Sequence, residues 1–134
     1  MGRVEGKVAV VPGGGTGIGR AAATRLAEEG AKVTIAEFDA KTGQEIVDEL
    51  GGDAKFIQHD VRDEDSWKSL FAAVAQHHGR PDILVNNAGI LATENNQHLA
   101  VTDMEQWRAV QKVNVEGVFL GCKYGVEAMT ANGG

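Results

Sequence analysis

Residues 7–19 read KVAVVPGGGTGIG, and this stretch decides the fold. The apolar run from Lys7 to Val11 is typical of a strand that is buried on both faces. A glycine-rich loop follows, after which Ile18, Ala22 and Leu26 repeat at the four-residue spacing of a helix. The sequence therefore predicts a strand, a glycine loop and a helix in that order.

The same unit repeats along the chain. Apolar runs at Lys32–Ala36, Lys55–Gln58 and Asp82–Val85 predict three further strands, with helical patterns between them. Strands that alternate with helices are typical of parallel strands joined by right-handed crossovers, with helices on both faces of the sheet. We therefore predict an α/β fold, a doubly wound parallel sheet, in one domain over residues 1–134.

The composition excludes several functional classes. The chain has 134 residues, of which 13 are basic and 19 acidic, and the net charge of −6 is unfavourable for binding nucleic acid. No apolar stretch reaches the about 20 residues of a membrane span, so we expect neither a nucleic acid nor a membrane partner. The single cysteine, Cys122, indicates a fold without disulfides and favours a cytoplasmic location.

The glycine-rich loop is a candidate binding site because of its position. It lies between a strand and a helix, where the N-terminal amides of the helix can bind a pyrophosphate. The spacing of Gly13, Gly17 and Gly19 is a variant of the commoner G-x-G-x-x-G pattern. A loop that is merely flexible is the alternative interpretation.

Glu37 is the candidate for binding the adenosine ribose. It follows the second predicted strand, where an acidic side chain can accept hydrogen bonds from the ribose hydroxyls and would repel a 2′-phosphate. No arginine or lysine stands beside it at Gly14, Gly15 or Phe38, so NAD is favoured over NADP. The alternative is a solvated acid in a turn.

Polar residues also follow the third and fourth strands. Asp60 ends the third strand, and Asn86, Asn87, Ala88 and Gly89 end the fourth. Both groups reach the carboxyl edge of the sheet, where open α/β sheets bind their ligands. Turn chemistry alone would also favour asparagine and glycine at these positions.

Taken together, these residues resemble the short-chain dehydrogenase/reductase family. Its pattern is T-G-x-x-x-G-I-G after the first strand, an acidic residue after the second, D-V after the third, N-N-A-G after the fourth and an asparagine in the next helix. The chain matches this order with Gly13, Gly17, Ile18, Gly19, Glu37, Asp60, Val61, Asn86 to Gly89 and Asn114.

The resemblance implies a fold and an activity. The fold is a Rossmann-type sheet with strand order 3-2-1-4. The activity is that of an NAD-dependent oxidoreductase that transfers hydride between NAD and a secondary alcohol or ketone, including cyclic alcohols and hydroxysteroids. Family members usually pair through the helix that here contains Gly117 to Gly125, so we expect a homo-oligomer for the full-length enzyme.

The resemblance also implies a role for each matching position. Asn114 would serve catalysis, because in the family this asparagine interrupts its helix and its backbone carbonyl holds a water of a proton relay. The cofactor positions are Gly13, Gly15, Thr16, Gly17, Ile18 and Gly19 for the pyrophosphate, Glu37 for the ribose, Asp60 and Val61 for the adenine, and Asn87, Ala88 and Gly89 for the nicotinamide ribose.

Pro12 is the first departure from the family pattern, which has threonine there. Proline lacks a backbone N–H at the end of what should be a central strand. Either the hydrogen-bonded ladder already ends at this point, or the strand and the glycine loop are disturbed. A lost hydrogen bond costs on the order of 1 kcal/mol, so we expect weaker cofactor binding or lower stability rather than another fold.

The second departure concerns the chemistry. The family uses a serine and a Tyr-x-x-x-Lys pair for acid–base catalysis, and none of these can be placed in the chain. Lys123 and Tyr124 are adjacent and in the wrong order. We interpret the chain as the truncated, catalytically incomplete cofactor-binding half of a longer enzyme. A non-catalytic dinucleotide-binding or regulatory module and a nonfunctional truncation product are the alternatives.

Other features of the sequence receive structural interpretations. The glycine stripe Gly117, Gly121 and Gly125 indicates either tight packing on the domain's own sheet or a pairing surface in an oligomer. Thr102, with Glu105 three residues later, predicts a capping box at the start of a helix. We expect core positions for Trp67 and Trp107, helix packing for Cys122, a helix end for His77 and His78, and no metal site at these histidines or at His59 and His98.

Overall fold

The computed structural model describes residues 2–91 and 99–131. The sequence also predicts a polar loop from Glu94 to Gln97, and this segment, His98 and the last three residues lie outside the described residues. In chain order the elements are β1 (Val8–Pro12), α1 (Gly17–Glu28), β2 (Lys32–Glu37), α2 (Ala40–Leu50), β3 (Lys55–Gln58), α3 (Glu64–His77), β4 (Ile83–Leu84), a 3-10 helix (Leu99–Val101), α4 (Met104–Gln111), a π-helical segment (Lys112–Glu116) and α5 (Gly117–Thr130).

The four strands form one parallel sheet in the order β3-β2-β1-β4, which confirms the predicted fold. β4 is shorter than the predicted strand Asp82–Val85. The Asp82 carboxylate accepts a hydrogen bond from the Val8 N–H at 2.9 Å, and the Asp82 N–H donates to the Val8 carbonyl at 2.8 Å. Asp82 therefore fastens the start of the strand instead of belonging to it.

The core lies on both faces of the sheet because alternate residues of β1 point to opposite sides. Val8 and Val10 pack with α3 and α5, whereas Ala9 and Val11 pack with α1 and α2. The helical side chains that cover the two faces are Trp67, Leu70, Phe71, Val74, Leu120 and Tyr124 on one side and Ala23 and Ile46 on the other.

Pro12 is accommodated at the end of β1. The ladder towards β2 continues past it, since the Gly13 N–H donates to the Ala36 carbonyl at 2.8 Å. The backbone carbonyls of Val8 and Val10 accept hydrogen bonds from the β4 side of the sheet. Alternate residues of a parallel strand bond to the same neighbour, so the backbone of Pro12 also faces β4. The last bond between the two strands is that of the Val85 N–H with the Val10 carbonyl at 2.9 Å, and the next in the alternation is the one that Pro12 cannot donate, so the ladder towards β4 ends at the proline.

The glycine stripe of α5 faces the chain's own sheet and α3. A Cβ at Gly117 would lie 2.8 Å from the Val61 side chain, and one at Gly125 would lie 2.7 Å from the Leu84 side chain. A Cβ at Gly121 would strike the Asn86 amide oxygen and come within 2.9 Å of the Trp67 ring. The stripe therefore packs against the domain's own sheet, which is the first of the two interpretations of the sequence pattern.

Several local expectations are corrected. Trp67 is fully buried as predicted, but Trp107 is 49% exposed and Cys122 is exposed rather than packed. The N-cap of α4 is Asp103 and not Thr102, because the Asp103 carboxylate accepts a hydrogen bond from the Gln106 N–H at 2.8 Å. Trp107 keeps helical spacing but lies on a face that is half exposed, and the Cys122 Sγ, although exposed, accepts a hydrogen bond from the Asn86 amide at 3.4 Å.

His78 has a larger structural role than the end of a helix. It is buried, its Nδ1 lies 3.3 Å from the Thr34 hydroxyl on β2, and its Nε2 lies 2.9 Å from the Asp53 carbonyl before β3. The imidazole thus connects the end of α3 to the sheet. Among the described residues, no helix has the length and apolar character that crossing a lipid bilayer requires.

The packing of α5 predicts the effect of a methyl group in the stripe. We expect Gly121→Ala to lower the free energy of unfolding by about 1–2 kcal/mol. The methyl group would meet both Asn86 and Trp67, so overpacking should cost about 2–3 kcal/mol, of which the gain in helix propensity offsets about 1 kcal/mol. Glu127→Ala, at an exposed position of the same helix, is the control and should change the free energy of unfolding by less than about 0.5 kcal/mol. Urea unfolding of both variants measures this, and an unchanged midpoint for Gly121→Ala would mean that α5 stands away from the sheet.

Candidate functional site

A cleft of about 480 Å³ lies along the carboxyl edge of the sheet. This volume is within the about 300–1,000 Å³ range of small-molecule sites. The cleft brings together residues that follow all four strands. Those that the sequence singled out are Gly13, Thr16, Gly17, Ile18, Glu37, Asp60, Val61, Asn87, Ala88 and Gly89.

The other predicted positions do not line the cleft but contact residues that do. Gly15 contacts Glu37, Gly19 packs against Gly13 and Asn87, and Asn114 holds Ile90. Sequence reasoning did not assign the remaining lining residues, which are Ala36, Phe38, His59, Arg62, Ile90 and Val113.

The glycine loop forms an open cradle at the start of α1. Gly13 and Gly17 have φ values of +69° and +52°, a region that residues with a side chain rarely adopt. A Cβ at Gly13 would lie 2.8 Å from the Ala88 Cα, whereas one at Gly17 would meet no described atom within 4 Å. The backbone is therefore packed tightly on one side of the turn and open to the cleft on the other.

Thr16 is the N-cap of α1, and its side chain makes no capping hydrogen bond. The first-turn amides of the helix thus keep their capacity to donate to a ligand, and the helix dipole favours an anion there. The open cradle and these amides fit a pyrophosphate group.

Glu37 is held beside the glycine loop. One carboxylate oxygen accepts a hydrogen bond from the Gly15 N–H at 3.1 Å, and the other accepts from the Phe38 N–H at 3.0 Å. These two bonds fix the carboxylate at the wall of the cleft, and each oxygen retains a lone pair. Glu37 can therefore accept further hydrogen bonds from the hydroxyls of a ligand.

Asp60 is paired rather than free. Its carboxylate accepts hydrogen bonds from the Arg62 guanidinium at 2.8 Å (Nε to Oδ1) and 2.7 Å (Nη2 to Oδ2), and its backbone N–H donates to the Ser66 hydroxyl at 3.0 Å. The side-chain hydrogen bond from Arg62 lowers the pKa of Asp60 below its ordinary value. The cleft wall after β3 thus presents a charge pair.

His59 is a buried residue of the cleft wall that sequence reasoning set aside. Its Nδ1 lies 2.8 Å from the Ser66 hydroxyl, its ring meets Trp67 edge-on at 4.3 Å, and its Nε2 has no hydrogen-bond partner among the described residues. Burial lowers the pKa of His59 from 6.5 to about 4, so the imidazole is neutral at pH 7.

Two asparagines tie the loop after β4 to its surroundings. The Asn87 amide donates to the Gly13 carbonyl at 3.0 Å and so joins this loop to the glycine turn. The Asn114 side chain accepts from the Ile90 N–H at 2.8 Å and donates to the Ile90 carbonyl at 2.9 Å. Loop residues 87–90 are therefore clamped from both sides.

Asn114 lies at the centre of the π-helical segment Lys112–Glu116 between α4 and α5. Such segments replace the regular i to i+4 hydrogen bonds of a helix and often occur at functional sites. The predicted interruption of the helix at this asparagine is present.

Tyr124 lies outside the cleft. Its hydroxyl donates to the Glu64 carboxylate at 2.7 Å, and this hydrogen bond raises the pKa of Tyr124. A general acid–base tyrosine requires the opposite shift towards neutral pH. Among residues 2–91 and 99–131, no group of three His, Cys, Asp or Glu side chains is arranged to hold a metal ion.

Comparison with known proteins gives matches along nearly the whole chain. The sequence profile of the short chain dehydrogenase family matches residues 7–134. The chain is 39% identical over 132 residues to the 3-beta-hydroxysteroid dehydrogenase of Comamonas testosteroni, covering 98% of this chain and 51% of that protein. It is 40% identical over 133 residues to the NADP-dependent (R)-specific alcohol dehydrogenase of Lentilactobacillus kefiri, covering 98% and 52%.

A solved structure agrees with the fold. The crystal structure of the 3-ketoacyl-(acyl-carrier-protein) reductase from Brucella melitensis complexed with NADH superposes with a TM-score of 0.89 at 33% identity, covering 96% of this chain and 52% of that one. The chain thus spans about half the length of the curated relatives it matches.

The buried His59 predicts a pH dependence of stability. Its pKa is about 4 in the folded state and 6.5 when unperturbed, so between these values the unfolded chain binds a proton that the folded chain does not. His59 therefore contributes a loss of stability as the pH falls from about 6.5 to about 4, of up to about 1.4 kcal/mol per pH unit.

We expect His59→Gln to flatten this slope in urea unfolding measured from pH 7 to pH 4.5. His77→Gln, at an exposed histidine that ends α3, is the matched control and should keep the slope of the unaltered chain. Equal slopes in His59→Gln and the unaltered chain would contradict a neutral buried imidazole.

Proposed function

The chain belongs to the short-chain dehydrogenase family, and we propose that it binds NAD in this cleft and supplies the cofactor-binding part of an oxidoreductase. The proposal treats residues 1–134 as one dinucleotide-binding domain. The observation that carries it is the contact between the Glu37 carboxylate and the Gly15 N–H at 3.1 Å. This contact places Glu37, the proposed ribose-binding group, beside the glycine loop that is proposed to bind the pyrophosphate, so both groups belong to one cleft.

Each part of the cleft has a role in this proposal. The amides of the turn around Gly17 and the start of α1 bind the pyrophosphate, Glu37 accepts from the adenosine ribose, and Asp60 with Val61 borders the adenine. Asn87, Ala88 and Gly89 border the ribose at the other end. The bound NAD would supply a nicotinamide ring that accepts or donates hydride.

Asn114 acts on the cleft as a positioning residue in this proposal. Its side chain holds the Ile90 backbone through two hydrogen bonds, and its own backbone carbonyl, within the π-helical segment, would be the group that holds a water of the proton relay. The substrate would be a secondary alcohol or ketone, as the names of the relatives suggest.

The preference for NAD over NADP rests on Glu37. The relatives include an NADP-dependent enzyme, so the preference is argued from this chain's own residues. A carboxylate fixed at the ribose position repels a 2′-phosphate, and the nearest cation that lines the cleft, Arg62, is paired with Asp60.

The proposal extends to assembly and location. The outward face of α5 exposes Phe119 by 65% and Val126 by 60%, and this apolar area supports self-association as a homo-oligomer. The lone Cys122 supports a reducing compartment such as the cytoplasm.

One observation favours a second function, that of a non-catalytic dinucleotide-binding module. The hydroxyl of Tyr124 is bound to Glu64 away from the cleft, so this tyrosine does not serve the cleft as an acid–base group. The two functions share NAD binding and differ in turnover. Reading the coding sequence beyond codon 134 separates them: an in-frame Ser and Tyr-x-x-x-Lys pair would indicate the enzyme, and a stop codon with a stable, NAD-binding product would favour the module.

A charge placed at Thr16 tests the pyrophosphate site. Aspartate caps a helix at least as well as threonine, so Thr16→Asp should keep the stability of α1. Its negative charge would repel a pyrophosphate, and we expect NADH affinity to fall at least about tenfold in calorimetric titration. Thr16→Asn has the same size and capping capacity as the aspartate without its charge, so it should bind NADH at least about tenfold more tightly than Thr16→Asp. Equal affinities for Thr16→Asp and Thr16→Asn would contradict the site.

The cofactor preference has its own test. We expect the unaltered chain to bind NADH more tightly than NADPH. Glu37→Gln should reduce this preference by about tenfold, because it removes the negative charge that repels the 2′-phosphate of NADPH and retains an oxygen that accepts from the Gly15 N–H. Glu45→Gln on α2, outside the cleft, should leave the ratio of the two dissociation constants unchanged. A ratio that Glu37→Gln does not alter would exclude Glu37 as the selecting group.

A further inference from the structure

Thr42 packs against the glycine loop from the side of α2. A Cβ at Gly15 would lie 2.6 Å from the Thr42 Cγ2 and 3.0 Å from the Glu37 Oε2. Gly15 is buried and its φ is not positive, so the closeness of Thr42, rather than backbone strain, requires a glycine there. The glycine loop, Glu37 and Thr42 therefore meet at one point, and neither Gly15 nor Thr42 lines the cleft.

The Asp39 carboxylate fixes the orientation of the Thr42 side chain. Asp39 is the N-cap of α2, and its Oδ1 accepts hydrogen bonds from the Thr42 N–H at 2.7 Å and from the Thr42 hydroxyl at 2.6 Å. The hydrogen bond from the hydroxyl lowers the pKa of Asp39, so this carboxylate is ionised at pH 7. A threonine in a helix otherwise has two favoured χ1 rotamers, and the bond to Asp39 selects the one that turns Cγ2 towards Gly15.

The first turn of α2 is held in place by close packing on β3. A Cβ at Gly43 would overlap the Phe56 ring of β3, and Ile46, one turn later, is 1% exposed in the core. β3 pairs with β2, the strand that ends at Glu37, so α2 is packed on the same pair of strands that carries this carboxylate. The Thr42 methyl group thus sets a fixed limit to the position of the glycine loop.

We propose that Thr42 is a positioning residue that sets the cofactor preference, an inference that rests on the proposed NAD binding. Its methyl group fills the space beside Gly15, where the Gly15 N–H donates to the Glu37 carboxylate at 3.1 Å. This hydrogen bond holds the carboxylate where it accepts from the ribose hydroxyls and repels a 2′-phosphate. Without the methyl group the loop gains room and the Glu37 side chain is less restrained, so the preference for NADH over NADPH should weaken.

The first experiment removes the methyl group and keeps the hydroxyl. Thr42→Ser retains both hydrogen bonds to Asp39, so α2 keeps its cap. We expect it to reduce the ratio of the NADPH and NADH dissociation constants by about threefold, a change that a loss of stability alone would not produce. Calorimetric titration with each nucleotide measures this ratio. Thr24→Ser, the same change at a half-buried threonine of α1 that does not line the cleft, is the matched control and should leave the ratio unchanged.

The second experiment tests the contact itself with a pair of substitutions. In Gly15→Ala the new methyl group would meet Thr42, and because the Thr42 rotamer is fixed the loop has to shift. We expect the NADH affinity of this variant to fall by at least about tenfold. Gly15→Ala combined with Thr42→Ser should bind NADH at least about threefold more tightly than Gly15→Ala alone, because the colliding methyl group is gone.

Gly14→Ala is the control for this rescue. A Cβ at Gly14 would lie 2.8 Å from the Val11 carbonyl oxygen and 3.0 Å from the Ile35 Cδ1, and neither contact involves Thr42. Thr42→Ser should therefore not restore NADH affinity to Gly14→Ala. Urea unfolding of each variant shows whether it is folded under the conditions of the titration, and Thr42→Ser, which adds no atoms, keeps the test decisive if Gly15→Ala does not fold.

The outcomes separate this inference from the proposed function. If the unaltered chain prefers NADH and Thr42→Ser keeps the full preference, the role of Thr42 is wrong and NAD binding stands. Equal NADH affinities of Gly15→Ala with and without Thr42→Ser, or an equal rescue of Gly14→Ala, would also overturn it. If the unaltered chain binds neither nucleotide, the proposed function fails first, and the role of Thr42 fails with it.

Discussion

Burial of β1 on both faces is the constraint on which the rest of the structure depends. Val8 to Val11 are at most 5% exposed, so helices must cover the sheet on each side. Covering both faces requires crossover connections, and crossovers make the strands parallel, as the registers show. Parallel strands end at the same edge, and the cleft is a consequence of that arrangement.

The strands and helices around the glycine loop were predictable because short-range sequence patterns determine them. Apolar runs and four-residue spacing fix strands and helices, and position relative to a strand end brings Glu37, Asp60 and Asn87 to one edge. Exposure of helix faces was less predictable. Trp107 and Cys122 share the periodicity of buried residues, but burial depends on whether another element lies opposite, which spacing does not encode.

The side-chain partnerships across strands were the least predictable part. His59, Arg62 and Phe38 gave no motif, and their roles follow from contacts between neighbouring strands and a helix. Competing local options also mattered at α4, where Thr102 and Asp103 are both good caps and the aspartate makes the hydrogen bond. A sequence pattern identifies the candidates, and tertiary geometry selects among them.

The π-helical segment at Lys112–Glu116 sets the rotational phase between α4 and α5. Each residue of a helix turns its successors by about 100° around the axis. The wider turn therefore determines that Gly117, Gly121 and Gly125 meet the sheet while Asn114 meets Ile90. Deletion of one residue from this segment would rotate α5 by about 100° around its axis and turn the glycine stripe away from the sheet. The length of the segment is therefore constrained more strictly than the identity of its side chains.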